Sequence, residues 1–246
     1  MKILLLDIET APNLCHTWGL WQQNVGIPQI VKGGYTMCWA AKWLGEKDIY
    51  HMNILDSTPK QMFKGIHNLL NDADVVIHYN GTKFDIPTLN REFILYKMYP
   101  PAPYKQIDLL KVARSQFKFA SNKLDYVSQF LGLGAKTQHR GHDLWKDCMN
   151  KDPDAWEEMS QYNINDVLML EAVYNALLPW IKNHPNKQMY SEETNICPKC
   201  GSNRFQRRGY SITVAGKYIR YQCKDCGGWH RGTKIIPLKG ERYVST

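Results

Sequence analysis

The chain has 246 residues, 43% of them hydrophobic and 22% charged, which is typical of a globular protein with one large domain or a medium and a small one. The apolar start is interrupted by Asp7 and Glu9, which excludes a signal peptide, and the long uncharged stretch 11–31 contains too many Asn and Gln residues to cross a bilayer. We therefore expect a soluble protein of the cytoplasm, or of the host cytoplasm if the source is viral, with no membrane partner.

The net charge of +8 is concentrated at one end of the chain. Residues 187–246 carry twelve basic and four acidic residues, whereas residues 1–186 carry nineteen of each. A basic tail on a neutral body indicates a polyanionic partner such as nucleic acid. Charge that serves solubility alone is the alternative.

Apolar patterning predicts an α/β domain. Short apolar or alternating runs predict strands at residues 2–8, 35–43, 48–53 and 74–78. Helical periodicity predicts helices at residues 58–70, 86–96, 107–117, 124–131 and 155–178. Alternating strands and helices favour a mixed sheet flanked by helices. The polar segment 183–196, which contains a proline, is predicted to be a linker.

Three segments concentrate acidic residues within this pattern. Asp7 and Glu9 are two apart on the first strand and so point to the same side, where a cation would relieve their repulsion. Asp85 follows the strand 74–78, at the sheet edge where sites form in α/β proteins. Tyr162 and Asp166 are four apart on the last helix and share one face. Each segment has an ordinary alternative. Asp7 and Glu9 could lie in solvent beyond the strand end, and Asp85 could be a simple helix N-cap. Tyr162 and Asp166 could be a solvated pair on the outer face of the helix.

The three segments together resemble the motifs of a known enzyme family. D-x-E at the end of the first strand, N-x-x-x-F-D after a central strand and Y-x-x-x-D in a late helix resemble the exonuclease motifs of DEDDy 3′→5′ exonucleases, within the ribonuclease H-like superfamily. The set is similar to the exonuclease domain of family B DNA polymerases and covers roughly residues 1–180. The resemblance implies a ribonuclease H-like mixed five-stranded sheet flanked by helices.

The resemblance also implies roles for individual residues. It assigns two Mg²⁺ or Mn²⁺ ions to four acids: Asp7, Glu9, Asp85 and Asp166. Tyr162 matches the tyrosine that positions the attacking water, and Gln161 stands where the histidine subclass has its histidine. Positions that line the 3′-terminal nucleotide match Thr10, Asn80 and Phe84.

The implied activity is hydrolysis of single-stranded DNA from its 3′ end, or of a 3′ overhang, to nucleoside monophosphates. Too few residues follow for a polymerase domain, so a free-standing nuclease is expected. Two alternatives stay open: a ribonuclease with the same site, and an inactive module that binds nucleic acid or serves as a scaffold. Among the aromatic residues after the first motif, Tyr35, Trp39 and Trp43 are predicted to pack in the core, and Trp18 and Trp21 could stack on bases.

The C-terminal part carries a second metal motif. Cys197 and Cys200 form one C-x₂-C pair and Cys223 and Cys226 another, a spacing typical of a zinc ribbon that holds one structural Zn²⁺. A redox role is the alternative. The sequence between the pairs predicts a hairpin that turns near residues 215–216. These features predict three parts: an exonuclease domain at 1–182, a linker at 183–196 and a basic zinc ribbon at 197–246.

Basic residues interleaved with aromatics surround the cysteines, a combination suited to phosphate contact and base stacking. The candidate substrate-binding residues of the ribbon are Arg204, Arg207, Arg208 and Arg220. Docking of the ribbon to a polymerase or another replication or repair protein is the main alternative.

Overall fold

The computed structural model describes residues 1–135, 139–214, 216–237 and 240. Residues 2–174 form one compact unit, and residues 175 onward form a second. The predicted boundaries after 182 and 196 stay predictions. Ala215 of the predicted turn, and Lys239 and Arg242 of the basic tail, lie outside the described residues.

The first unit contains a five-stranded sheet and a small two-stranded ribbon. Its strands are β1 (Ile3–Thr10), β2 (Leu14–Cys15), β3 (Ile30–Lys32), β4 (Thr36–Trp43), β5 (Ile49–Asn53), β6 (Val75–His78) and β7 (Lys105–Asp108). The five-stranded sheet has the order β5-β4-β1-β6-β7. β4 is antiparallel to β1 and β5, and β6 is parallel to β1 and β7, so the sheet is mixed as predicted.

Six α-helices complete the described part of this fold. They are α1 (Pro59–Asp72), α2 (Asp85–Leu95), α3 (Leu109–Gln116), α4 (Leu124–Phe130), α5 (His142–Met149) and α6 (Pro153–Leu177). α1 begins at a capping box in which Gln61 N donates to Thr58 Oγ1 over 3.4 Å. Among the described residues, no helix has the length and apolar character needed to cross a membrane.

One predicted helix is wrong at its start. Residues 105–108 form the edge strand β7, in which Ile107 pairs with Ile77, and α3 begins only at Leu109. Asp108 ends the strand and caps the helix, because its Oδ1 accepts the N–H of Leu110 over 3.1 Å. A four-residue strand has no periodicity of its own, so its pairing with β6 decides its conformation.

The core lies on both faces of the central strands. One cluster packs Leu4, Leu6 and Trp39 against α1 and α2, with Trp43 at its margin. A second packs Met37 and Cys38 against α5 and α6, with Tyr35 at its margin. The indole Nε1 of Trp39 donates to Met62 O over 2.9 Å, which satisfies the polar group of this buried ring.

The second unit contains a three-stranded antiparallel sheet of order β10-β9-β8, built from β8 (Phe205–Thr213), β9 (Gly216–Cys223) and β10 (Trp229–Ile235). β8 and β9 form the predicted hairpin, with Thr213 opposite Gly216. Within the predicted linker, residues Lys187–Tyr190 form a short 3₁₀ helix that Asn186 caps.

Candidate active site

Asp7 and Glu9 lie at the open end of the central strand. β6 pairs with β1 only from Ile3 to Leu5, whereas β4 pairs with it from Leu4 to Thr10. The carboxy-terminal half of β1 therefore has a neighbouring strand on one side only. Glu9 lies inside β1, opposite Cys38, and not in the solvent beyond the strand end.

The structure brings three of the four predicted metal-binding acids together. One carboxylate oxygen each of Asp7, Glu9 and Asp166 lies within 4.8 Å of the others, and Asp166 is buried. Three carboxylates at this spacing repel one another strongly unless a cation lies between them. Their oxygens are the ligands that Mg²⁺ and Mn²⁺ prefer, so the set fits a hard divalent cation.

Two polar contacts hold α6 against the sheet and so position Asp166. The Lys42 ammonium of β4 lies 2.6 Å from Glu171 Oε2, and Gly45 N donates to Glu171 Oε1 over 3.0 Å. Closer to the carboxylates, Asn163 Nδ2 donates to Asp7 Oδ2 over 2.8 Å. Asn163 is an unspecified position of the Y-x-x-x-D motif and was not predicted as a site residue. Its place three residues before Asp166, on the same helix face, is the signal that could have found it.

Asp85 lies beside β1 but outside the three-carboxylate group. It is the first residue of α2, and its Oδ1 accepts the N–H of Ile8 over 3.2 Å, which satisfies a strand donor beyond the end of the β6 pairing. Burial raises the pKa of Asp85 to about 7, with a further contribution from the charge of Asp108. Hydrogen bonds from backbone N–H groups, that of Ile8 among them, oppose this rise.

The loop between β6 and Asp85 is fixed by its own hydrogen bonds. His78 Nδ1 accepts the N–H of Gly81 over 3.0 Å, and His78 Nε2 lies 3.0 Å from Gln106 Oε1. A Cβ on Gly81 would lie 2.4 Å from His78 Cγ, so only glycine fits here. Asn80 has a φ of 71° and donates its N–H to Asp108 Oδ1 over 3.0 Å. Burial lowers the pKa of His78.

Tyr162 is buried in the wall of a cleft of about 740 Å³. Its ring meets the edge of the His139 ring at 4.9 Å between centroids. Asn80 lines the same cleft, as do Arg114 and Lys123, two cations that no sequence motif predicted. Their positive charge can bind phosphate.

A second cleft, of about 430 Å³, has Thr10, Pro12, His139 and Trp145 among its lining residues. Of the predicted nucleotide-lining residues, Thr10 lies in this cleft and Asn80 in the larger one. Phe84 precedes α2 with its ring partly exposed.

The second unit brings its four cysteines together. Cys197 Sγ lies 3.7 Å from Cys226 Sγ, and Cys200 Sγ lies 3.6 Å from Cys223 Sγ. A tetrahedral ion with bonds of about 2.3 Å to sulfur requires sulfurs about 3.8 Å apart, so this set fits Zn²⁺. The N–H of Gly228 donates to Cys226 Sγ over 3.4 Å, a contact that stabilises a thiolate.

The basic residues of this unit differ in their partners. The Arg204 guanidinium pairs with Asp225, which ties the two cysteine knuckles together. Arg220 stacks on Trp229 at 5.0 Å from guanidinium carbon to ring centroid, and Arg207 lies 5.1 Å from the Tyr210 centroid. Arg208 is exposed, and its carbonyl accepts from Arg220 Nε over 3.0 Å.

A comparison with family models decides the family. The model of the RNase_H superfamily matches residues 35–178, more than half of the chain. The chain belongs to the RNase_H superfamily. RNase H-like nucleases use divalent metal ions, and the three-carboxylate group and the four cysteines of this chain are groups that could hold a metal. The match covers Asp85, Tyr162 and Asp166, whereas Asp7 and Glu9 precede it.

Among solved structures, this RNase_H superfamily member is similar to the family B DNA polymerase from the hyperthermophilic archaeon Pyrobaculum calidifontis, with a TM-score of 0.56 and 17% sequence identity. The similarity covers 72% of this chain and 24% of the polymerase, so the chain spans about a quarter of the length of that protein. At this identity the likeness concerns the fold. No curated protein matches the sequence significantly.

Proposed function

We propose that this RNase_H superfamily member is a 3′→5′ exonuclease that hydrolyses single-stranded DNA to nucleoside monophosphates with two Mg²⁺ or Mn²⁺ ions. The observation that carries the proposal is the convergence of Asp7, Glu9 and Asp166 within 4.8 Å, from a strand and a helix far apart in sequence. A cluster of acids beside the clefts of a ribonuclease H-like fold supports phosphodiester hydrolysis. The acids can bind hard cations, and such cations allow water to attack a negatively charged phosphodiester.

The residues of the candidate active site would have different roles in hydrolysis. When bound, the divalent ions would supply an activated water and stabilise the leaving 3′-oxygen. Asp7, Glu9 and Asp166 would hold the ions directly, and Asp85 would support the second ion from beside Ile8. Tyr162 would orient the attacking water through its hydroxyl group, an effect of positioning.

Substrate contacts would come from the two clefts. Thr10 and Asn80, one from each cleft, and the partly exposed Phe84 would enclose the terminal nucleotide. The cations of Arg114 and Lys123 in the larger cleft would bind backbone phosphates. None of these contacts discriminates against a 2′-hydroxyl, so a ribonuclease with the same site is the second candidate.

The second unit would be a zinc ribbon that holds substrate for the nuclease. One Zn²⁺ on Cys197, Cys200, Cys223 and Cys226 would supply much of its folding free energy. The guanidinium groups of Arg207 and Arg220 next to aromatic rings, and the exposed Arg208, support nucleic-acid contact. Arg204 is largely committed to Asp225. Docking to a replication or repair protein is the alternative use of this unit.

Matched DNA and RNA strands, labelled at the 5′ end in one set and at the 3′ end in another, test the proposal. With Mg²⁺ or Mn²⁺, a 3′→5′ exonuclease shortens 5′-labelled DNA in single-nucleotide steps and releases the label of 3′-labelled DNA as a mononucleotide at once. EDTA and the Asp166→Asn variant are the controls. Faster degradation of RNA would favour the second candidate, and no metal-dependent shortening of either strand would refute the proposal.

A further inference from the structure

The segment between β1 and β4 is a ribbon that extends the two central strands. β2 and β3 pair antiparallel, with Leu14 opposite Lys32. Ala11 N donates to Tyr35 O over 2.8 Å, which continues the β1–β4 ladder into this pair. Residues 11–34, called the aromatic ribbon below, therefore begin directly after the strand that carries Asp7 and Glu9.

The far part of the aromatic ribbon exposes large apolar side chains. The exposed fractions are 99% for Trp18, 83% for Trp21, 89% for Leu20 and 85% for Ile27. Isolated apolar residues on a surface are ordinary, but two nearly fully exposed indoles close together in one short segment indicate an interaction site.

Position and charge favour one occupant for this surface. Thr10 and Pro12, at the base of the ribbon, line the 430 Å³ cleft together with His139 and Trp145. Because Thr10 directly follows Glu9 in β1, this cleft borders both the carboxylate-bearing end of β1 and the base of the ribbon. Residues 11–34 contain no Asp or Glu and one lysine, so the ribbon does not repel phosphates.

We propose that Trp18 and Trp21 stack on unpaired nucleobases of the strand whose 3′ end is bound at the carboxylates. This inference rests on the proposed exonuclease function. It adds a surface that binds single strands at a distance from the phosphodiester bond that is hydrolysed. Stacking on an indole is sequence-tolerant, because every base has a π-face. The ribbon thereby favours single-stranded over paired 3′ ends, since paired bases are stacked on one another.

A docking site for a protein would depend on all four exposed apolar residues, Trp18, Leu20, Trp21 and Ile27, and not on the two indoles alone. Apolar association depends on buried area, so Leu20 and Ile27 would contribute in proportion to their size. Base stacking depends on the aromatic face, so the two aliphatic residues would contribute little. The two occupants therefore predict different effects for two matched double variants.

The test compares Trp18→Ala/Trp21→Ala with Leu20→Ala/Ile27→Ala in the full chain. Affinity for oligo(dT) of increasing length is measured by fluorescence anisotropy in an Asp166→Asn background, which prevents hydrolysis. We expect the tryptophan pair to weaken binding of long strands by at least about tenfold and the aliphatic pair by less than about threefold. Trp18→Tyr/Trp21→Tyr should retain most of the affinity.

A second readout separates this inference from the proposed function. Thymidine 5′-(4-nitrophenyl phosphate) has a single base and offers no further base to stack on Trp18 or Trp21. Its hydrolysis should be unchanged in the Trp18→Ala/Trp21→Ala variant with Asp166 intact. If Trp18→Ala/Trp21→Ala kept the affinity and the activity of the unsubstituted chain on long strands, the stacking role would be wrong. The nuclease proposal would be unaffected. Equal losses of oligo(dT) affinity in the two double variants would also overturn base stacking, because apolar area and not the aromatic face would then hold the strand. Failure of the unsubstituted chain to hydrolyse either substrate would refute the proposed function itself.

Discussion

The side-chain amide of Asn163 donates a hydrogen bond to Asp7 Oδ2 over 2.8 Å and so joins α6 to β1 across 156 positions of sequence. Asn163 is fully buried, and its Oδ1 has no hydrogen-bond partner among the described residues. A buried polar atom without a partner is costly, which indicates that the amide is retained for its contact with Asp7. Asn163 therefore orients a carboxylate that we propose as a metal ligand.

We expect Asn163→Ala to weaken Mn²⁺ binding by about tenfold to a hundredfold, because an outer hydrogen bond fixes the ligand oxygen. Titration with Mn²⁺ followed by electron paramagnetic resonance measures this without reference to turnover. Asn165→Ala, two residues along the same helix, is the matched control. Unchanged Mn²⁺ affinity in Asn163→Ala would mean that the amide serves packing alone.

The raised pKa of Asp85 predicts an unusual pH dependence of stability. Its folded pKa, about 7, is above the ordinary value of 3.8, so between these values the native state binds more protons than the unfolded state. Without added divalent cation, this group should therefore lower the free energy of unfolding as pH rises from 4 to 7, by up to about 4 kcal/mol.

The Asp85→Asn variant should lose this pH dependence, because the amide does not titrate. Urea unfolding of both proteins at pH 5 and pH 7.5 measures the difference. Added Mg²⁺ should stabilise the unsubstituted chain most at the higher pH, where the carboxylate is ionised. If the free energy of unfolding changed with pH in the same way in both proteins, the raised pKa of Asp85 would be contradicted.

The Lys42–Glu171 pair predicts a specific loss of stability. Lys42 is buried and Glu171 largely so, and their charged atoms lie 2.6 Å apart. Glu171→Ala leaves the lysine charge buried without its partner and should cost about 3 kcal/mol in urea unfolding. The double variant Lys42→Met/Glu171→Leu removes both charges and should recover most of this loss. If the double variant lost as much free energy of unfolding as Glu171→Ala, the loss would come from altered packing and not from the unpaired charge.

Removal of the metal from the cysteine site should unfold the second unit. Four sulfurs at tetrahedral spacing hold β8–β10 at their ends, and this small sheet has little apolar core of its own among the described residues. We expect Cys200→Ser to lower the zinc content measured by mass spectrometry and to abolish a separate thermal transition of this unit. Full thermal stability without bound zinc would argue for a metal-independent fold.

The arginines of the zinc unit should determine the salt dependence of nucleic-acid binding. If Arg207, Arg208 and Arg220 each neutralise one phosphate, replacing all three by alanine should reduce the slope of log K against log salt by roughly 2 on single strands. Arg204→Ala, which removes a guanidinium already paired with Asp225, should change the slope less. A triple variant with an unchanged slope would favour protein docking by this unit.

Local patterns in the sequence predict a large part of this protein. The apolar runs around Leu4 and Val76 predict central strands because a strand buried on both faces needs apolar side chains at consecutive positions. The tight C-x₂-C pairs predict the sulfur cluster because few arrangements satisfy four cysteines at that spacing. The edge strand at residues 105–108 escapes prediction because a short polar strand takes its conformation from its neighbour.

The sequence by itself determined the α/β class, the mixed sheet, the four cysteines and the acids that converge, since these depend on periodicity and on the order of short motifs. Only the tertiary structure decided that Asn163 holds Asp7, that Asp85 binds Ile8 N outside the three-carboxylate group, and that Trp18 and Trp21 are exposed. These relationships join residues distant along the chain or depend on burial. They arise from the packing of α6 and α2 on β1, which no local pattern encodes.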